Sequence, residues 1–217
     1  MVSKALIWDM DGVIADTAPF HFLSWQRAAQ ERGITFTESD FKQIFGKRNP
    51  EIIAEKFGAD IPAPDVDALA QRKEEHFRTL VGQNVKPFPG VLSLLHSLKA
   101  AKWKMAVVSS TPMENIELIT RSLEIAGLFD TVVSDRDVSR GKPDPEGFLL
   151  AAERLGVEPG YCVVIEDAIA GVRAAKNAGM KCVAVTNTHP AERLAEADMA
   201  VDSLENITAG ILESLLL

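Results

Sequence analysis

Across the C-terminal two thirds of the chain, short apolar runs rich in β-branched residues alternate with helical patterns. KMAVVSS is followed by a helical stretch near Met113 to Ala126, and DTVVSD by one starting near Pro145. YCVVIED is followed by a helix from Ala168 to Ala178, and KCVAVT by a further one. Runs this short and apolar fit strands covered on both faces, and the helices between them supply the crossovers that parallel strands require. A doubly wound parallel sheet of the α/β class is therefore expected. KALIWD at Lys4 to Asp9 reads as a strand of the same sheet, yet the next strand does not begin until Met105.

The intervening segment is helical in character. Apolar residues recur at spacings of three and four in FHFLSWQRAA and DVDALAQRKEEHFRTLV. Breaks fall at Gly33, Gly46, Asn49-Pro50, Gly58 and the run Ile61 to Pro64. The expected organisation is an α/β core from residues 1–17 and 89–217, carrying a small four-helix cap at 18–88. Lys86-Pro87-Phe88-Pro89-Gly90 lies in the second linker.

Bulk composition narrows the function. A chain of 217 residues with 47% hydrophobic content can bury a core of ordinary size. The formal net charge of −8 argues against a protein that grips nucleic acid by its phosphates. No stretch approaches the roughly 20 apolar residues of a membrane span, and no signal-peptide pattern opens the chain. A soluble, cytoplasmic monomer or small homo-oligomer is expected. Cys162 and Cys182 sit inside apolar runs and read as reduced core residues.

In an open parallel sheet the ligand site lies beyond the carboxyl ends of the strands. Those ends carry Asp9, Met10, Asp11 and Gly12, then Ser109, Ser110 and Thr111, then Gly141-Lys142-Pro143-Asp144, and finally Glu166-Asp167. Four carboxylates gathered at one edge repel one another unless protons or a cation join them. Oxygen ligands without sulfur favour Mg²⁺. Phosphoryl transfer needs a nucleophile, a charge-neutralising cation, donors to the phosphoryl oxygens and an acid for the leaving oxygen. Asp9 can be the nucleophile, Asp11 the acid and base, Lys142 the fixed positive charge, and Asp167 with Glu166 the rest of the metal shell. The hydroxyls and amides of Ser109, Ser110 and Thr111 can donate to the phosphoryl group and substrate. Alone, a DxD is commonly a turn, SST a helix cap, GKPDP a solvated loop and Glu-Asp a helix start. Their joint occurrence at successive strand ends favours chemistry.

These residues carry a resemblance. DMDGVIADT, VVSS, GKPDP and VIEDAIAGVRAAKNAGM resemble the four motifs of haloacid dehalogenase-like hydrolases, in order and over nearly the whole chain. The resemblance implies a Rossmann-like core with an inserted cap. It also implies Asp9 as nucleophile, Asp11 as acid/base, Ser109 as phosphate-binding hydroxyl, Lys142 as charge anchor and Asp167 as a Mg²⁺ ligand. The Asp11 carbonyl and Glu166 would stand near the metal. DGVIADTAPFHFLSW resembles the β-phosphoglucomutase and sugar-phosphate phosphatase branch, in which Thr17 and His21 match substrate-facing positions and Lys73 falls near a cap lysine. The chain departs from the mutase pattern at Gly46-Lys47-Arg48-Asn49 and at Thr111-Pro112-Met113.

Within the cap, Trp25 lies one helical turn from His21 and is a candidate platform for a sugar, or else a core residue. Lys47, Arg48 and Lys73 are candidates for closing over the distal end of the substrate, although cap lysines are usually solvated. His76, His96 and His189 read as structural. The expected activity is Mg²⁺-dependent hydrolysis of a small phosphate ester. A phosphoglucomutase is the nearest alternative, and a phosphorylatable receiver-like switch an alternative of a different class.

Overall fold

The computed structural model describes residues 2–82 and 84–217. Six strands form one parallel sheet: β1 (Ala5–Trp8), β2 (Lys104–Val108), β3 (Thr131–Val133), β4 (Cys162–Glu166), β5 (Lys181–Val185) and β6 (Met199–Val201), in the order β3-β2-β1-β4-β5-β6. Because side chains alternate across a strand, each strand feeds two cores. Leu6, Trp8, Met105, Val107, Val163, Ile165, Val183 and Val185 face one side. Ala5, Ile7, Ala106, Val108, Cys162, Val164, Cys182 and Ala184 face the other. On the first side pack α5 (Val91–Ala100), α6 (Met113–Ser122) and α9 (Ala209–Leu215); on the second, α7 (Glu146–Leu155) and α8 (Ile169–Asn177). This is the expected α/β class. Both cysteines are buried and free, and burial pushes the Cys162 thiol up to about 12.

Two local expectations are corrected. The stretch expected as one helix to Ala126 ends at Ser122, because Glu124 takes a positive φ of 59° and the chain resumes as a short 3₁₀ turn at Ala126–Leu128. After β5 a 3₁₀ turn at Ala191–Leu194 and a sixth strand of three residues intervene before the further helix, Ala209–Leu215. The Met199–Val201 run of that strand follows directly on the alanine- and charge-rich AERLAEAD, which reads as a continuing helix.

The insert holds α1 (Ala18–Gln30), α2 (Glu38–Ile44), α3 (Asn49–Phe57) and α4 (Ala63–Val81). Trp25, Ala28, Ala29, Phe36, Ile44, Ile52, Ile53 and Leu69 form an apolar cluster of their own. At α2 the Thr37 hydroxyl accepts from Asp40 N while the Asp40 carboxylate accepts from Thr37 N, a reciprocal cap that starts the helix. The two connecting strands of chain run side by side: Asp16 N donates to Lys86 O at 3.2 Å, and Phe88 N to Ile14 O at 3.1 Å. Among the described residues no helix is long and apolar enough to cross a membrane.

Helix α4 belongs to both packing units, since Leu69 sits in the insert cluster while Phe77 and Val81 pack with Leu6 and Trp8. Phe77 is thus the wedge that seats the insert on the sheet. Phe77→Ala should lower the free energy of unfolding by about 3–5 kcal/mol in urea melts.

Candidate active site

Asp9 follows β1, and its N–H donates to Ile165 O at 3.0 Å, continuing the sheet ladder one residue past the strand. The side chain thereby reaches the loops beyond the sheet. Its Oδ1 accepts from Lys142 Nζ, and the same ammonium donates to Glu166 Oε1. The other Glu166 oxygen accepts from the N–H groups of Asp167 at 2.9 Å and Ala168 at 3.0 Å, fixing the turn into α8. A Cβ at Gly171 would collide with the Glu166 carboxylate, so the first turn of α8 needs glycine there. Gly12, at φ +88°, solves a similar problem beside Asp167. Asn187 Nδ2 donates to Gly12 O at 2.7 Å, and Thr188 Oγ1 donates to Asp167 Oδ2. The loop after β5 therefore holds two pieces of the site that the sequence did not single out.

One carboxylate oxygen from each of Asp9, Glu166 and Asp167 lies within 4.8 Å of the others, and all three residues are buried. Burial drives the Asp9 carboxyl well above its ordinary range; Lys142 opposes this, and Glu166, Asp167 and Asp11 add to it. Burial, reinforced by Glu166, pushes Asp167 up to about 8 despite the Thr188 hydrogen bond. For Lys142, burial favours the neutral amine, but Asp9 and Glu166 outweigh it and keep the ammonium charged.

Asp11 is held differently. Its Oδ1 accepts from Thr17 Oγ1 at 2.6 Å and from His21 Nε2 at 3.2 Å, and its Oδ2 from Ser109 Oγ at 3.3 Å. Burial works against the charge, yet His21, Thr17 and Lys73 together hold the carboxyl below its usual range. The His21 tautomer follows from its neighbours. Lys73 Nζ lies 2.8 Å from His21 Nδ1 and 2.8 Å from Glu74 Oε1, so the ammonium donates to Nδ1 and the ring proton sits on Nε2, facing Asp11. The imidazole stacks on Phe77 with centroids 4.0 Å apart. Glu74 further accepts from Asn49 Nδ2 at 2.8 Å and Asn115 Nδ2 at 2.5 Å, and Asn115 also donates to Thr111 Oγ1 at 2.9 Å. A buried polar chain thus runs from Asp11 through the insert and back to the sheet. Asn49, Glu74 and Asn115 carried no motif, and only folding brings them together.

The expected site residues divide into groups. Asp9, Asp11, Ser110, Lys142, Glu166 and Asp167 share one cavity of about 420 Å³ with Lys42, Lys47, His189 and Arg193. Ser109 borders Asp11 through its hydroxyl. A narrower recess of about 40 Å³ is lined by Asp11, His21, Trp25, Lys47, Lys73, Ser110 and Thr111, among others. Thr17, expected to face substrate, is fully buried and donates to Asp11 instead. Trp25 is 1% exposed and belongs to the insert's apolar cluster, so it offers no open platform. Lys73 is not solvated: it is 2% exposed and held by His21 and Glu74. Lys47 pairs with Glu55 at 2.5 Å. Arg48 does not close over the cavity; its guanidinium binds main-chain carbonyls of Ser139 and Asp135. His76 pairs with Glu31, whereas His189, read as structural, lines the larger cavity.

Sequence comparison assigns a chain with these buried acids and this lysine at its strand ends to a class. Residues 6–185 match the haloacid dehalogenase-like hydrolase family, and the chain belongs to it. Within that family it falls in the branch of β-phosphoglucomutase-like enzymes and sugar-phosphate phosphatases, and it is an enzyme of the phosphatase and phosphotransferase kind. It is 33% identical over 204 residues to validoxylamine A 7'-phosphate phosphatase from Streptomyces hygroscopicus subsp. limoneus, covering 94% of this chain and 95% of that one. It is 34% identical over 216 residues to β-phosphoglucomutase from Bacillus subtilis, covering 96% and 93%. A crystal structure of β-phosphoglucomutase from Clostridium difficile superposes with a TM-score of 0.89 at 29% identity, covering 100% of this chain and 97% of that one.

The raised acids couple stability to pH. Burial pushes the Asp167 carboxyl up to about 8 from an ordinary value of 3.8, so over that range folding favours the protonated form. Folding stability then falls as pH rises through that window. In buffer with a chelator, the melting temperature should drop from pH 5 to pH 8, and Asp167→Asn should flatten the slope.

Proposed function

We propose that the chain is a Mg²⁺-dependent phosphatase that hydrolyses a small phosphorylated metabolite, a sugar phosphate, through an aspartyl phosphate on Asp9. The observation that carries this is the single ammonium of Lys142 bridging Asp9 and Glu166 within a buried acidic cluster. The donor set suits Mg²⁺: the converging ligand atoms are all carboxylate oxygens, and two of the acids hold protons strongly when nothing else neutralises them. Asp9, Asp167 and the Asp11 carbonyl would hold the ion, with Glu166 beside it. Bound there, Mg²⁺ would supply charge to balance the transferring phosphoryl oxygens.

The residues then divide the reaction. An Asp9 carboxylate oxygen attacks phosphorus in line, the bond to the sugar oxygen breaks, and that oxygen takes a proton from Asp11. The negative charge of the arriving phosphate raises the proton affinity of Asp11, which is otherwise ionised. In the second half a water gives its proton to Asp11 and attacks phosphorus, releasing inorganic phosphate and restoring the Asp9 carboxylate. Lys142 and the Ser109 hydroxyl offer hydrogen bonds to the phosphoryl oxygens. The cavity volume of about 420 Å³ lies within the range of roughly 300–1,000 Å³ usual for small-molecule sites.

Mutase chemistry uses the same intermediate with a sugar hydroxyl replacing water, and the mutase relatives keep that reading open. The helical insert over the site favours an enzyme that excludes water over a receiver-like switch.

Purified protein should release phosphate from a sugar phosphate in a screen of phosphorylated metabolites, and a chelator should stop it. Asp9→Asn should lower turnover at least about 10³-fold with an unchanged circular dichroism spectrum. Near-normal phosphate release from that variant would overturn the mechanism. A coupled assay with β-glucose 1-phosphate and a bisphosphate primer separates hydrolysis from mutase turnover.

A further inference from the structure

Arg48 lies in the insert, yet its guanidinium bonds to the core. Nη1 donates to Ser139 O at 3.1 Å and Nη2 to Asp135 O at 3.0 Å. Both carbonyls belong to the segment that leads from β3 to Lys142. From the core side that segment is already braced: the Glu146 carboxylate accepts from the N–H groups of Ser139 at 2.9 Å and Arg140 at 3.0 Å, and Arg154 Nη2 donates to Asp137 Oδ1 at 2.6 Å. Arg48 adds a brace from the insert side. Gly141, next to Lys142, makes room for it. A Cβ there would stand 2.9 Å from Arg48 Cδ and 3.1 Å from Glu51 Oε1, although the Gly141 backbone is not in a conformation reserved for glycine.

The contact is built to part. Arg48 Nε and Asp135 Oδ1 are both buried without a hydrogen-bond partner, and both residues line the same small cavity. The guanidinium is thus held by neutral carbonyls through two of its nitrogens and left unsatisfied at the third. Such a clasp separates more readily than a buried ion pair with a carboxylate. The recess beside Asp11, at about 40 Å³, has room for only one or two waters, so a sugar that is to occupy it requires the insert to move away from the core.

We propose that Arg48 is a positioning residue that acts through Lys142. When the insert closes, Arg48 clasps the Asp135 and Ser139 carbonyls and fixes the segment so that the Lys142 ammonium stands between Asp9 and Glu166. Closure over the substrate and placement of the catalytic cation are then one event. The proposal rests on the phosphatase reading for its kinetic consequence, but the clasp itself can be tested without activity.

The test uses the full chain with Mg²⁺ and the best substrate from the phosphate-release screen. Arg48→Ala removes the clasp, and Gly141→Ala pushes Arg48 out while leaving its charge. Each should lower kcat about tenfold with KM changed less than about threefold. Because both variants break one contact, the double variant should be no slower than the slower single. Amide hydrogen exchange in residues 135–142 should quicken in both, though Arg48 lies far away in sequence. Arg72→Ala, which removes a surface ion pair with Glu31 within the insert, should leave kcat and the exchange unchanged. A raised KM with normal kcat in Arg48→Ala would make Arg48 a substrate contact and overturn the proposal, as would losses that multiply in the double variant. Exchange unchanged in residues 135–142 would overturn it whether or not any ester is hydrolysed; absence of phosphate release from every ester by the unmodified protein would instead sink the phosphatase reading.

Discussion

A buried ammonium with a carboxylate on either side is a demanding arrangement. Removing each charge from water costs several kcal/mol, and the mutual attraction compensates only when the geometry is held closely. Lys142 meets that condition because Asp9 is set by the end of β1, Glu166 by the end of β4 and by two amides of the α8 turn, and the lysine itself by the loop from β3. Strands β1 and β4 are hydrogen-bonded neighbours, with Trp8 in register with Ile165, so the two acids are brought side by side by the ladder itself. Lys142 alone does not balance Asp9, Glu166 and Asp167. Burial, with the repulsion among these acids added to it, raises the proton affinity of Asp9 and Asp167.

The carboxyls of the two aspartates in the opening motif are shifted in opposite directions because they face different neighbours. Asp9 points at carboxylates and one lysine; Asp11 points at Thr17, His21 and, behind them, Lys73. Asp9 is shifted upward, chiefly by burial, and Asp11, two residues on, downward despite its burial, by its hydrogen-bonding and charged neighbours. The sheet supplies the first environment and the helical insert the second. Phe77, packed on the sheet and stacked under His21, ties the two together.

Much of this was legible in the chain. The strands β1 to β5 announce themselves as short apolar runs, and the helices between them as interrupted periodic stretches, because burial on two faces or on one leaves a different spacing of apolar residues. Asp9, Asp11, Lys142, Glu166 and Asp167 were legible for a related reason: each sits at a strand's carboxyl end or in the segment that leaves one, where parallel topology makes ligand sites. The edge strand β6 was not, since Met199–Val201 follows directly on AERLAEAD, whose composition masks the change from helix to strand.

Sequence alone therefore determined five strands of the sheet, the presence of a helical insert and the residues of the acidic cluster, all of which follow from local patterns read in order. Tertiary structure decided what the polar residues of the insert do. Thr17 and Lys73 turned inward to hold Asp11 and His21, Trp25 joined an apolar core, and Arg48 crossed to carbonyls 87 and 91 residues away. Glu74 and Asn115 met across the junction of insert and sheet with no motif to mark either. The reason is physical: periodicity records which face of an element is buried, but the partner of a buried polar group is chosen by which distant element arrives opposite it, and that depends on how two packed units seat on one another.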